Sequence, residues 1–185
     1  MTDRKGFSTK IRPTVRFLFS HPAHFISLGF GSGLAPVMPG TAGTLMGWAV
    51  FYMLTTALPT VFTSLTWAII VVSGFALGVL TCTRSEIALN SPDDSSIVWD
   101  EIVGIWFVFV GIALIMPLTL AAQCLAFFLF RLFDIIKPPP IRQIDAHLEG
   151  GLGVMLDDIL AAGFALAAFV VIAWSLQYFG LTLFS

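Results

Sequence analysis

Three runs without a single charged side chain, residues 17–83, 102–130 and 159–185, constrain this chain most. Each exceeds the ~20 apolar residues that cross a ~30 Å hydrocarbon core. The nine basic and eleven acidic side chains are confined to 3–16, 84–101 and 131–158. A hydrophobic share of 57% and a mean hydropathy of +0.94 lie far from a soluble average, so the chain reads as a membrane protein. One domain, 1–185, is expected, with residues 1–28 as a basic cytoplasmic N-terminal segment. Arg4, Lys5, Lys10, Arg12 and Arg16 precede no short apolar core with a small-residue cleavage site, so no removable signal peptide is expected. A net charge of -2 excludes a broadly basic nucleic-acid binder. Cys82 and Cys124 lack metal-type spacing and read as small packing residues.

The expected fold is all-α, a polytopic membrane bundle. Gly43 to Leu58 and Val61 to Thr81 read as a hairpin of two helices around Pro59, the first only about 24 Å long. Residues 102–130 admit one tilted helix or a hairpin broken near Met116-Pro117. The positive-inside rule favours the hairpin, which returns Arg131, Lys137 and Arg142 to the side of the basic N-terminus. The final run crosses once more and ends outside. The bundle thus has about five helices, or four with a continuous 102–130 segment. Gly74-x-x-x-Gly78 and the stripe Ala161, Ala165, Ala168 supply small residues for close packing.

Asp100-Glu101, in "IVWDEIVGIW", and Asp157-Asp158, in "GVMLDDILAAG", stand where the chain starts its third and last helices. Acids in a first turn complement the helix dipole for about 0.3–1 kcal/mol each, which is the purely structural alternative. Two such pairs on one membrane face point further, to a site: clustered carboxylates repel, and a hard cation such as Mg²⁺ relieves that repulsion. In "FRLFDIIKPPPIR", Arg131, Asp134 and Lys137 follow i, i+3, i+6 spacing, so Asp134 can join the acids while Arg131 or Lys137 meets an anion. The alternative is a set of surface salt bridges beside anionic headgroups.

"GFGSGLAPVMPGTAGTL", Gly29 to Leu45, reads as an irregular re-entrant or surface loop before the first helix. Its glycines allow close backbone approach, its prolines interrupt a helix, and Thr41 or Thr44 is a candidate cap. Ser32, Gly33, Gly40, Thr41, Gly43 and Thr44 are candidate phosphate-binding positions, together with Arg131. No Gly-Lys-Ser/Thr follows, so this is not a nucleotide-hydrolysing loop. Asp93 and Asp94 in "NSPDDSS" read as a solvated turn, and His21, His24 and His147 are too scattered for a metal site. Glu149, before Gly150-Gly151, reads as a site residue or part of a flexible turn.

Taken in order, "GFGSGLAPVMPGTAGTL", "SIVWDEIVGIW", "FRLFDIIKPPPIR" and "GGLGVMLDDILAAG" resemble the phosphatidylglycerophosphatase A family, Mg²⁺-dependent bacterial membrane phosphatases of phospholipid synthesis. The resemblance covers Gly29 to Gly163 and implies hydrolysis of phosphatidylglycerophosphate to phosphatidylglycerol and phosphate at the inner face of the cytoplasmic membrane. It assigns catalytic roles to Asp100, Glu101, Asp134, Lys137, Asp157 and Asp158, while the metal would be held among the five acids. His147-Leu148-Glu149 departs from the family pattern. A CDP-alcohol phosphotransferase shares only Gly153-x-x-x-Asp157, and a histidine-type lipid phosphatase lacks its arginine and serine context. A transporter or channel would place charge inside the spans or on both faces.

Overall fold

The structure, a computed structural model, describes residues 12–139, 141, 148 and 150–179. Expectations for Arg4, Lys5, Lys10, Arg142, His147, Glu149 and the tail after 179 lie outside those residues. Every regular element among the described residues is a helix, and none is a strand. Two short helices, α1 (Val15–Leu18) and α2 (Pro22–Ser27), lead into a 3-10 helix at Gly29–Leu34. Five long helices follow: α3 (Pro39–Ala57), α4 (Ser64–Leu89), α5 (Trp99–Ala113), α6 (Leu120–Ile136) and α7 (Gly151–Tyr178). Of these, α4 and α7 are long and apolar enough to cross a membrane.

Residues 102–130 form the hairpin. Ile115 and Met116 close the end of α5 by hydrogen bonding to Ile112, Pro117 interrupts the helix, and Thr119 caps α6 by accepting the Ala122 N–H at 3.3 Å. Thr63 caps α4 in the same way. The all-α class and five long helices are as expected, while several boundaries differ, α4 running Ser64–Leu89 where Val61 to Thr81 is expected. Pro39 occupies the first turn of α3, where its missing N–H costs nothing, so the helix begins four residues before Gly43. Thr41 and Thr44 are therefore inside α3, and neither caps it. Helix α7 begins at Gly151 because that glycine lies against the α4 backbone at Val79 and Thr83, donating its N–H to Thr83 Oγ1 at 2.9 Å. Asp157 and Asp158 consequently lie in the second turn, which removes the first-turn dipole explanation for them. Lastly, the N-terminal segment is partly folded: Leu18, Ala23, His24, Ser27 and Leu28 are buried.

Helix α5 occupies the centre, packed on α3, α4, α6 and α7. Trp106 Nε1 donates to the Gly47 carbonyl of α3 (2.8 Å) and Trp99 Nε1 to the Gly74 carbonyl of α4 (2.9 Å). Gly78 brings Trp99 and Met155 against α4, so the glycine spacing serves close packing. Ala161 and Ala165 are buried and Ala168 is half-buried, as the small-residue stripe requires. Cys82 is buried, whereas Cys124 is exposed and does not serve as a packing residue. Asp94 is also buried, accepting the Ser96 N–H and hydroxyl with one carboxylate oxygen, so only Asp93 fits the solvated-turn reading.

A buried polar knot ties the N-terminal helices to the start of α5. His24 Nδ1 and Ser85 Oγ are 2.8 Å apart, Ser85 Oγ and Ser27 Oγ 2.6 Å, and the Ser27 carbonyl accepts the Val98 N–H at 2.9 Å. Burial lowers the His24 pKa below its ordinary value of 6.5, helped by the nearby His21 and Arg84. The unfolded chain thus binds more protons just below pH 6.5, and the fold loses stability as pH falls toward the depressed His24 pKa. Thermal unfolding of detergent-purified protein should show this acid-side decline, and His24→Asn should flatten it.

Candidate active site

The second and third charged segments meet at one end of the bundle. Asp100 and Glu101 lie in the first turn of α5, while Asp158 reaches them from α7. Carboxylate oxygens of these three residues lie within 4.8 Å of one another. Asp100 is only 8% exposed and Asp158 only 3%. Asp134 and Asp157 stand close enough to add to the negative field at Asp158.

The countercharge is unevenly shared. Arg131 Nη1 pairs with Asp134 Oδ2 at 2.7 Å and approaches Glu101 Oε1 at 3.7 Å, while Lys137 Nζ contacts Asp157 Oδ2 at 2.5 Å. Among the described residues, neither Asp100 nor Asp158 has an ion pair. Lys137 is not on the expected helical stripe: it ends α6 in a left-handed conformation (φ 44) ahead of Pro138 and reaches across to α7.

Asp100 Oδ1, Glu101 Oε2 and Asp158 Oδ2 are buried without a hydrogen-bond partner, as are Thr41 Oγ1 and Arg131 Nε. Such atoms are rare in folded proteins because each costs about 1–3 kcal/mol. Three clustered carboxylates cannot all hold negative charge there without a cation or a shared proton. An all-oxygen donor set suits a hard divalent cation, so these residues fit a metal. Arg131 Nε adds polar capacity on the α6 side, and Thr41 follows Gly40, which touches Glu101, in the first turn of α3.

The glycine-rich stretch divides into two parts. Gly40 lies directly on the site: a Cβ there would collide with Glu101 Oε1 and approach Arg131 Nη2 at 3.1 Å. Thr44 accepts a hydrogen bond from Arg131 Nη1 (3.3 Å) and donates to the Gly40 carbonyl (2.9 Å). By contrast, Ser32 donates to its own turn at the Gly29 carbonyl (2.8 Å), Gly33 presses on the Ser96 carbonyl and Gly43 on Val98. These three support the segment leading into α5. Phe30 and Met38 hold left-handed backbone (φ 59 and 51), strain that flanks this support. The His24–Ser85–Ser27 knot beneath Val98 carries no sequence signal, because its members are far apart in the chain and individually ordinary.

The family model of Phosphatidylglycerophosphatase A matches residues 25–173. This chain belongs to the phosphatidylglycerophosphatase A family. It is similar to a protein named Phosphatidylglycerophosphatase A from Haemophilus influenzae, 38% identical over 174 residues covering 92% of this chain and 98% of that protein. The Escherichia coli protein of the same name is 38% identical over 149 residues, covering 79% of this chain and 80% of that protein. A Bacteroides thetaiotaomicron relative named Putative phosphatidylinositol-3-phosphatase is 37% identical over 160 residues, covering 80% and 92%. No solved structure matches this chain. In this phosphatidylglycerophosphatase A family member, the matched segment includes every candidate site residue named above.

Gly40→Ala should displace Glu101 and Arg131 and lower phosphatase activity about tenfold or more while leaving the melting temperature nearly unchanged. Gly33→Ala should instead destabilise the fold by about 1–3 kcal/mol, because its new methyl meets a backbone carbonyl. Activity assays beside thermal unfolding separate these effects.

Proposed function

We propose that this protein hydrolyses the terminal phosphomonoester of phosphatidylglycerophosphate, producing phosphatidylglycerol and inorganic phosphate. Its site faces the cytoplasm from a multi-pass bundle in a bacterial inner membrane. The names of the Haemophilus influenzae and Escherichia coli relatives support the reaction. The carrying structural observation is the set of partnerless oxygens on Asp100, Glu101 and Asp158 beside Arg131.

Mg²⁺ is the proposed cofactor, held among Asp100, Glu101 and Asp158 with Asp134 and Asp157 around them. When bound, such an ion neutralises phosphoryl charge and acidifies a coordinated water. Arg131, anchored by Asp134 and Thr44, offers its Nε proton to a phosphoryl oxygen. Lys137, held by Asp157, adds positive charge at the rim. Attack forms a bond from a water oxygen to phosphorus and breaks the phosphorus–ester oxygen bond. A carboxylate oxygen of the acidic cluster that does not hold the ion takes the water proton and releases it to solvent, and the departing alkoxide takes a proton from solvent. Gly40 leaves room for the headgroup against Glu101.

Purified protein should release phosphate from phosphatidylglycerophosphate with Mg²⁺ and lose that release on chelation. Asp158→Asn, still folded, should fall by about a hundredfold or more. Faster turnover of phosphatidylinositol 3-phosphate would overturn the substrate assignment; full activity in both Asp158→Asn and Asp100→Asn would overturn the site. For topology, reporters fused within residues 114–119 and after Phe179 should both report the outer face. A cytoplasmic signal from either would contradict the arrangement.

A further inference from the structure

We propose that the seam between α3 and α6 holds an acyl chain of the lipid whose headgroup occupies the acidic site. This deepens the lipid phosphatase reading and rests on it. Helices α3 and α6 run antiparallel, although α3 packs chiefly on α5 and α6 on α7. Side chains bridge the seam in successive rungs. Arg131 Nη1 donates to Thr44 Oγ1 at the charged end (3.3 Å), Trp48 and Phe127 rings lie 5.5 Å apart, and Trp48 Nε1 donates to Gln123 Oε1 (2.6 Å). Gln123, Phe127 and Arg131 share one face of α6 at i, i+4, i+8, as Thr44, Trp48 and Tyr52 share one face of α3.

Beside these rungs lies an open cavity of about 530 Å³ lined by Leu45, Trp48, Ala49, Tyr52, Leu120 and Gln123. Its size falls within the ~300–1,000 Å³ of ligand-sized pockets. The slot starts at Leu45, one residue beyond Thr44, and follows the helices away from Arg131. A chain running along this seam from a headgroup at Arg131 passes the Trp48–Phe127 rung before reaching the slot, whose α6 wall, Leu120 and Gln123, begins about two turns from Arg131. Two of the polar groups in the lining satisfy each other, since Gln123 accepts from Trp48 and donates through Nε2 to the Leu118 carbonyl (3.1 Å), while the third, on Tyr52, belongs to a half-exposed side chain. Gln123 thereby fixes the Trp48 ring as part of the slot wall. Leu45 and Tyr52, about half exposed, leave the slot open along its length. Its place on the same seam as Arg131 and its mainly apolar lining select a hydrocarbon chain as occupant.

Ala49→Trp and the milder Ala49→Leu narrow the slot away from the carboxylates. In the full-length protein, the ratio of kcat/KM for dioleoyl- over dihexanoyl-phosphatidylglycerophosphate should fall about tenfold in Ala49→Trp and less in Ala49→Leu. An unchanged ratio in both would overturn the proposal. The unaltered protein gives an independent reading: phosphatidylglycerol with a photoreactive group near the end of one acyl chain should cross-link to residues 45–52 or 118–123. Labelling confined to other helices, or cross-links joining two copies through these segments, would likewise overturn it. If the unaltered protein turns over neither phosphatidylglycerophosphate, the lipid phosphatase reading itself has failed, which is distinct from an unchanged chain-length ratio.

Discussion

Helix α5 is enclosed on all sides, and its enclosure governs the arrangement of the other helices. Its indole N–H groups reach carbonyls on α3 and α4, while its remaining faces receive α6 and α7. Once the apolar body of α5 is central, its first turn carries Asp100 and Glu101 into the interior as well. Asp158 arrives because α7 packs along α5, and Arg131 because the hairpin at Pro117 returns α6 to the same end. The site is thus a consequence of how the apolar segments pack, with its acids held at the end of a rigid helix.

Packing of this kind leaves a negative cluster that the described side chains only partly balance. Arg131 and Lys137 are drawn to Glu101, Asp134 and Asp157, whereas Asp100 and Asp158 lack an ion pair among the described residues. Buried uncompensated charge costs stability, and such a cost is characteristic of sites shaped for a ligand rather than for folding alone. Arg131 links the two proposed parts of the substrate site. One side of its guanidinium meets the acids, and the other meets Thr44 at the head of the α3–α6 seam.

Much of this was legible in the sequence. Uncharged runs located the bundle, Pro117 divided the hairpin, and the acidic pairs with Arg131 and Asp134 marked the shared end. What escaped has physical causes. Pro39 looks like an interruption, yet a proline in a helix's first turn starts it readily. Gly151 looks like a turn, yet its missing side chain lets α7 lie on α4. Asp157 and Asp158 are indistinguishable as neighbouring letters, but adjacent helical residues point about 100° apart. One therefore meets Lys137 while the other joins the α5 acids. Helices as short as α1 and α2 carry too few residues to display a period, and the His24–Ser85–Ser27 knot depends on tertiary contact alone.

In the proposed site Asp100, Glu101 and Asp158 share a divalent cation. Electron paramagnetic resonance of Mn²⁺, a paramagnetic stand-in for Mg²⁺, would measure binding to detergent-purified protein without requiring turnover. A Mg²⁺-competed bound signal should appear and be lost in folded Asp158→Asn and folded Asp100→Asn. Unchanged Mn²⁺ binding in both variants would contradict that shared site.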